Sequence, residues 1–150
     1  MKAIPIGVIV FLLGVGAAIA DAPPAAVMKE GERLYQTDPG SGTIHYGKPS
    51  FVLKGNRVYE VAPGTTSIRY DKPSYIIEGD TTYKTYPGTN DRDYRAPAYK
   101  AKGKKLYETD LGTNNIRYDK PAFVIDGDTT YKTYPGTNDR DYRAPAYKAE

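Results

Sequence analysis

The sequence predicts an all-β repeat protein, either a β-solenoid or a linear stack of hairpins, and three observations support this prediction. Glycine followed by Asn or Asp separates short runs of β-forming residues, which is a hairpin signal. No stretch beyond the N-terminal region has helical periodicity. Tyrosine also recurs at every 24th position, a regularity typical of repeat architectures, at Tyr35, Tyr59, Tyr83, Tyr107 and Tyr131.

Five hairpin-like units of this one length fit residues 26–145 without an insertion, and residues 146–150 begin a sixth unit. Within one unit, Phe51 to Lys54 and Arg57 to Val61 are rich in β-formers and flank Gly55-Asn56. Glycine there supplies the positive φ that a two-residue hairpin turn needs. A flat antiparallel meander is the main alternative. A closed propeller is disfavoured because units of this length are short for a four-stranded blade.

The alternation of side chains along each strand assigns residues to two faces. Tyr59 and Tyr70 each belong to a column of tyrosines spaced by one repeat length. We expect these two columns to build the interior, because tyrosine buries a large apolar ring. A third aromatic column is expected beside them, formed by Phe51, Tyr75, Tyr99 and Phe123.

Charges alternate in sign between successive units. The column through Arg69 continues with Asp93, and the column through Asp71 continues with Arg95. Like charges directly opposed are destabilising, so this alternation predicts that neighbouring units stack in register. The stretch GDTTYKTYPGTNDRDYRAPAYKA occurs at residues 79–101 and again at 127–149, and we interpret it as a duplicated block of two complementary units.

The N-terminal residues have the layout of a secretory signal peptide, predicted over residues 1–20 and followed by a linker over 21–25 and the repeats over 26–150. Lys2 supplies the positive charge, and Ala18-Ile19-Ala20 the cleavage site. A membrane anchor is disfavoured, because the uncharged stretch from Ile4 to Ala20 is only just long enough to cross a bilayer. We therefore expect an exported protein, periplasmic or extracellular, without a membrane span after cleavage.

Composition argues against several function classes. With 21 Lys+Arg and 18 Asp+Glu, the chain has no strong basic excess, so nucleic-acid binding is not expected. It has no cysteine and one histidine, His45, which disfavours metal sites and catalytic triads. The Asn90 to Asp93 segment is oxygen-rich, but it contains Arg92 and lacks a calcium-loop pattern. No cofactor is implied, and we expect a non-enzymatic protein because every polar group recurs along the repeats.

These expectations lead to two hypotheses about function. The first is an exported bacterial repeat protein with a structural or adhesive role in the cell envelope or extracellular matrix, self-associating through strand edges left open at Ala146 to Glu150. The alternative is a module that binds polysaccharide or peptidoglycan. Its ligand-binding residues are predicted to lie in alternate units, where stacking does not require them, and are Tyr86, Tyr134, Asp91 and Asp139.

Overall fold

The computed structural model describes residues 28–150, and in these residues it contains ten β-strands and no helix. The all-β prediction is therefore confirmed for the described residues. The predicted signal peptide at 1–20 and the linker at 21–25 lie outside them. Among the described residues no helix is long and apolar enough to cross a bilayer. The strands are β1 Arg33–Gln36, β2 Ser50–Lys54, β3 Arg57–Val61, β4 Tyr75–Glu78, β5 Thr81–Lys84, β6 Tyr99–Lys102, β7 Lys105–Glu108, β8 Ala122–Asp126, β9 Thr129–Lys132 and β10 Tyr147–Ala149.

The strands form a single antiparallel sheet that closes into a barrel. Each strand pairs with its neighbours in the chain, and β1 pairs with β10. The solenoid and the linear stack were therefore wrong, and the meander alternative was right in strand order but wrong in being flat and open. The physical reason is that successive hairpins extend the same hydrogen-bonded sheet side by side, as Val58 opposite Tyr75 shows, instead of stacking face on face.

Closure joins the two ends of the described chain. In the β1–β10 pair, Leu34 lies opposite Ala149 and Gln36 opposite Tyr147. The Thr37 hydroxyl adds a clasp, since its Oγ1 donates to the Ala146 carbonyl at 3.2 Å and accepts from the Ala146 N–H at 3.1 Å. The open edge expected at 146–150 was wrong, because closure pairs every described strand on both sides.

The predicted hairpin turns are confirmed at the glycine positions. Gly55 has φ 60° and Gly79 has φ 60°, while no described residue other than glycine has positive φ. Positive φ at the first central residue and not at the second is the pattern of a type II′ turn, whose twist matches that of the flanking strands. The strands on either side pair in full, from Lys54 opposite Arg57 outward.

The barrel interior holds aliphatic residues and the predicted third aromatic column. Val58 has no exposed surface, and Leu53 lies directly opposite it across the β2–β3 hairpin. In the aromatic column Tyr75 is 4% exposed and Phe123 2%, while Phe51 is half-buried. The apolar core cluster consists of Met28, Leu34, Leu53, Val58, Tyr75, Tyr99, Leu106, Phe123 and Tyr147.

The two tyrosine columns expected inside lie on the outer surface, which is a correction to the sequence analysis. Tyr59 follows the buried Val58 and so points to the opposite face, where it is half-buried. Tyr70 is 63% exposed and packs edge-on against the Tyr59 ring at 5.6 Å. The reason is that the narrow interior is already filled by the aliphatic and third-column side chains, while each outer phenol keeps its hydroxyl in water. The whole outer column is more than half exposed and consists of Tyr46, Tyr70, Tyr94, Tyr118 and Tyr142.

Two tyrosines near the C-terminus test this assignment of faces. Tyr147→Ala should cost about 3–5 kcal/mol of unfolding free energy, because Tyr147 is only 3% exposed and belongs to the closing strand. Tyr142→Ala, which removes a ring that is 63% exposed, should cost less than about 1 kcal/mol. Urea denaturation followed by circular dichroism measures both. Equal losses in the two variants would contradict the inward orientation of Tyr147.

Candidate functional site

Shallow grooves lie on the outer surface between adjacent hairpins, and we call them the inter-hairpin grooves. In the first, Tyr35 of β1 and Tyr46 of the loop after β1 face the turn at residues 64–66 that follows the β2–β3 hairpin. Its volume is about 220 Å³. The next groove has Tyr59 and Tyr70 facing residues 88–90, with about 170 Å³.

A third groove continues the series. Tyr83 and Tyr94 face residues 112–114 across about 150 Å³. Corresponding residues in successive grooves are one repeat length apart in the sequence. The same surface feature is thus built at three successive junctions around the barrel.

Each groove has one fixed and one exposed aromatic ring. Tyr35 is held by β1, and Tyr46 packs edge-on against it at 5.4 Å while being 58% exposed. The equivalent contact in the hairpin that carries β7 joins Tyr107 and Tyr118 at 5.3 Å. The edge-on contact fixes the outer ring and leaves one of its faces in solvent.

Polar side chains bridge the grooves to the next turn. Arg33 Nη1 donates to the Thr65 carbonyl at 2.8 Å, and Tyr83 OH donates to Asn114 Oδ1 at 3.3 Å. Lys105 Nζ donates to the side-chain oxygen of Asn138 at a later junction. The groove rims therefore present hydrogen-bonding groups beside an aromatic face.

The predicted site residues Tyr86 and Asp91 lie in one turn, since the Tyr86 N–H donates to the Asp91 carbonyl at 3.1 Å. Tyr86 is half-buried, and the Arg95 guanidinium lies 5.1 Å from its ring centre. Asp91 is exposed. This turn supplies residues 88–90 to the wall of the second groove, so the predicted residues adjoin the groove without lining it.

The second predicted pair repeats this geometry. The Tyr134 N–H donates to the Asp139 carbonyl at 3.0 Å, and Arg143 lies 5.2 Å from the Tyr134 ring centre. Tyr134 is half-buried and Asp139 is exposed. In both turns a guanidinium covers part of the tyrosine ring, so these rings are less available to a ligand than the outer tyrosines of the grooves. Those outer tyrosines had been predicted to lie in the core.

Asp93 anchors the arginine that covers Tyr86. Its Oδ1 accepts hydrogen bonds from the Arg95 N–H at 3.0 Å and from Arg95 Nε at 3.3 Å. Burial alone raises the pKa of Asp93, but hydrogen bonds from Arg95 and the Tyr86 hydroxyl outweigh it, and the pKa is lowered overall. The carboxylate is therefore charged at neutral pH and holds Arg95 in place.

The alternating charges pair within units. Arg69 lies 3.2 Å from Glu60 and 3.3 Å from Asp71, both in its own unit. The next unit has the inverted set, in which Asp93 contacts Arg95 at 3.3 Å. The expected stacking of opposite charges on neighbouring units was wrong in this respect, because Arg69 and its two carboxylates form a cluster inside one unit. Arg117 with Asp119 and Arg143 with Asp141 likewise pair inside theirs.

His45 lies 3.7 Å from Asp38, and its side chain is 42% exposed. Within residues 28–150, no group of three or more His, Cys, Asp or Glu side chains is placed to hold a metal ion.

One cavity lies at the end of the barrel where β2, β4 and β10 begin, and we call it the mouth cavity. Its volume is about 320 Å³. Phe51, Tyr75 and Tyr147 form its aromatic wall, and Lys72 and Glu60 are among its charged residues. An open stack would not bring Tyr147 of β10 next to Phe51 of β2, so the predicted architecture gave no indication of this cavity.

The chain matches no protein-family model, no curated protein and no solved structure.

The charge clusters can be tested by exchanging one for its inverse. Arg69→Asp places a carboxylate beside Glu60 and Asp71 and should lower the unfolding free energy by about 1 kcal/mol, limited by solvent screening. The triple variant Glu60→Lys, Arg69→Asp, Asp71→Arg reproduces the set found one unit later and should recover the loss. Urea denaturation compares the two. A triple variant as unstable as the single one would mean that the charges do not act within the unit.

Proposed function

We propose that this is an exported, non-enzymatic bacterial repeat protein that binds polysaccharide or peptidoglycan through the inter-hairpin grooves and so has an adhesive role in the cell envelope or extracellular matrix. One observation carries the proposal: at three junctions an exposed tyrosine and a tyrosine held by a β-strand line the same groove. A catalytic centre is normally a single cleft, whereas a protein that binds a polymer benefits from several copies of the same binding surface.

The chemistry of a groove suits a sugar ring. The exposed face of Tyr70 offers a flat apolar surface to the C–H face of a pyranose. Beside it, the hydroxyl of Tyr59 and the Asn90 side chain can hydrogen-bond sugar hydroxyls. A groove of about 170 Å³ is small, which favours a single sugar residue of a chain over a large compact ligand.

Repetition compensates for weak individual sites. When several sites on one rigid barrel engage the same polymer, each further contact is intramolecular, and avidity exceeds the affinity of one groove by about 10²–10⁴. A polymeric, repetitive ligand such as a cell-wall glycan gains most from this arrangement. The signal peptide predicted over residues 1–20 accords with a ligand outside the cytoplasm.

Self-association also stays a prediction, but its original route does not apply to the described strands. Each of them is paired on both sides, so no described edge can accept a strand from another copy. We therefore assign adhesion to the grooves, and light scattering at high concentration tests self-association separately.

The binding proposal is tested with a triple variant, Tyr46→Ala, Tyr70→Ala, Tyr94→Ala, which removes the exposed ring from three grooves. Co-sedimentation with insoluble peptidoglycan, chitin and cellulose should show binding by the parent and a loss of at least about tenfold in the variant, because each ring contributes roughly 0.5–1.5 kcal/mol.

The matched control changes the same three positions to Phe, which keeps each aromatic face and removes only the hydroxyl. It should retain most binding. A second variant, Tyr86→Ala with Tyr134→Ala, tests the residues predicted from sequence and should have the smaller effect, since arginines cover these rings. Absence of binding to every glycan, or unchanged binding by the triple Ala variant, would refute the proposal.

A further inference from the structure

The mouth cavity is larger than the grooves and has an aromatic wall from the core, although Lys48 and Lys72 also line the first and second grooves. Its volume of about 320 Å³ reaches the lower end of the range for small-molecule sites, roughly 300–1,000 Å³. It lies between the β1–β10 strand pair and the β2–β3 and β4–β5 hairpins, at the end of the barrel. A site of this kind takes a small molecule, not a polymer laid along the surface.

Aromatic rings form one wall of the cavity. Tyr75 is 4% exposed and Tyr147 is 3% exposed, so both are held firmly by the core. Phe51 lies beside Tyr147, with ring centres 6.3 Å apart at 66°, and it alone of its column is half-buried. The partly open Phe51 face is apolar surface that a planar ligand can cover.

Cations dominate the charged part of the lining. Lys48, Lys72 and Arg69 face a single carboxylate, that of Glu60. Glu60 and Arg69 compensate each other at 3.2 Å, and the Glu60 side chain is only 17% exposed. The two lysines form no ion pair with a described residue, so their positive charge is available to an anion.

These lysines belong to consecutive units of the chain and line the same cavity. Their column alternates between lysine and alanine along the chain, through Lys72, Ala96, Lys120 and Ala144, after beginning with Lys48. A ring of five units cannot alternate throughout, and the two adjacent lysines fall in the first and second units, Lys48 just before β2 and Lys72 just before β4. The cavity is therefore particular to this junction and does not recur around the barrel by the repeat.

We propose that the mouth cavity binds a small planar aromatic anion, of the aryl carboxylate class. The ring of the ligand packs against Phe51, Tyr75 and Tyr147, and its carboxylate lies near the Lys48 and Lys72 ammonium groups. Desolvation of the aromatic face favours binding, and the two cations select against neutral and cationic molecules of the same shape.

The test uses naphthoate as the probe and naphthalenemethanol as a neutral molecule of similar shape. Titration calorimetry on the full chain should show one naphthoate bound per barrel and weaker binding of the alcohol. Lys72→Ala should weaken naphthoate binding by about fivefold through loss of one partly screened charge. Glu60→Gln, which removes the carboxylate, should strengthen it.

The chain supplies a matched control in Lys120→Ala. Lys72 and Lys120 lie in identical hexapeptides, IRYDKP at 68–73 and at 116–121, but only Lys72 lines the cavity. Lys120→Ala should leave naphthoate binding unchanged, and thermal melts establish that the variants fold like the parent. Failure of naphthoate to bind, equal binding of the alcohol, equal effects of the two lysine variants, or several bound equivalents would each overturn the proposal.

Discussion

Pairing of β1 with β10 is the constraint on which the rest of the structure depends. It joins residues 109 positions apart, as the Thr37–Ala146 hydrogen bonds show, whereas every other strand pair is local in the chain. The entropy cost of closing a loop grows with its length, so this strand pair costs the most entropy to form. It then stabilises all the other strand pairs. Once it forms, both sheet edges disappear and the interior aromatic column becomes a closed ring. The mouth cavity is a consequence of that closure, since Tyr147 of β10 lines it together with Phe51 of β2 and Tyr75 of β4.

Closure of five units into one ring sets a parity condition that the charge pattern must meet. Units whose charges alternate in sign can form an open array of any length. A closed ring with an odd number of units must either bring two units of the same kind together or include one neutral unit. The first unit is nearly neutral in the relevant columns, where Gln36, His45 and Gly47 replace the charged residues of the other units. The last charged unit therefore meets an uncharged neighbour, and no like-charge contact arises where the ring closes. The same first unit carries Lys48 next to Lys72 of the second unit, so the unit that relieves repulsion in one column adds positive charge in another.

The sequence was sufficient for secondary structure and insufficient for topology, and particular residues show why. Gly55-Asn56 between β-forming runs identified the β2–β3 hairpin correctly, because turn chemistry is local. The alternation of side chains along the strand correctly placed Val58 and Tyr59 on opposite faces of the sheet. It does not say which face is inside, and Tyr59 was wrongly assigned to the interior. The grooves were missed for that reason, since their outer tyrosines had been placed in the core. The site residues predicted from their occurrence in alternate units, such as Tyr86, adjoin a groove because turns and grooves share the outer surface.

The closed ring gives a physical reason why one stretch occurs twice in the sequence. Its first copy ends in Ala98–Ala101, most of which lies in β6, between β5 and β7. Its second copy ends in the same four letters at Ala146–Ala149, which include β10, between β9 and β1. The closing strand thus carries the sequence of an internal strand and meets the same residue types on its β9 side, with Tyr147 opposite Thr130 as Tyr99 is opposite Thr82. The sequence of β10 already fits between two strands inside a sheet, so it needs no further change to pair with β1 where the barrel closes. Repeating a stretch without change is therefore a direct way to turn a sheet with two open edges into a closed barrel.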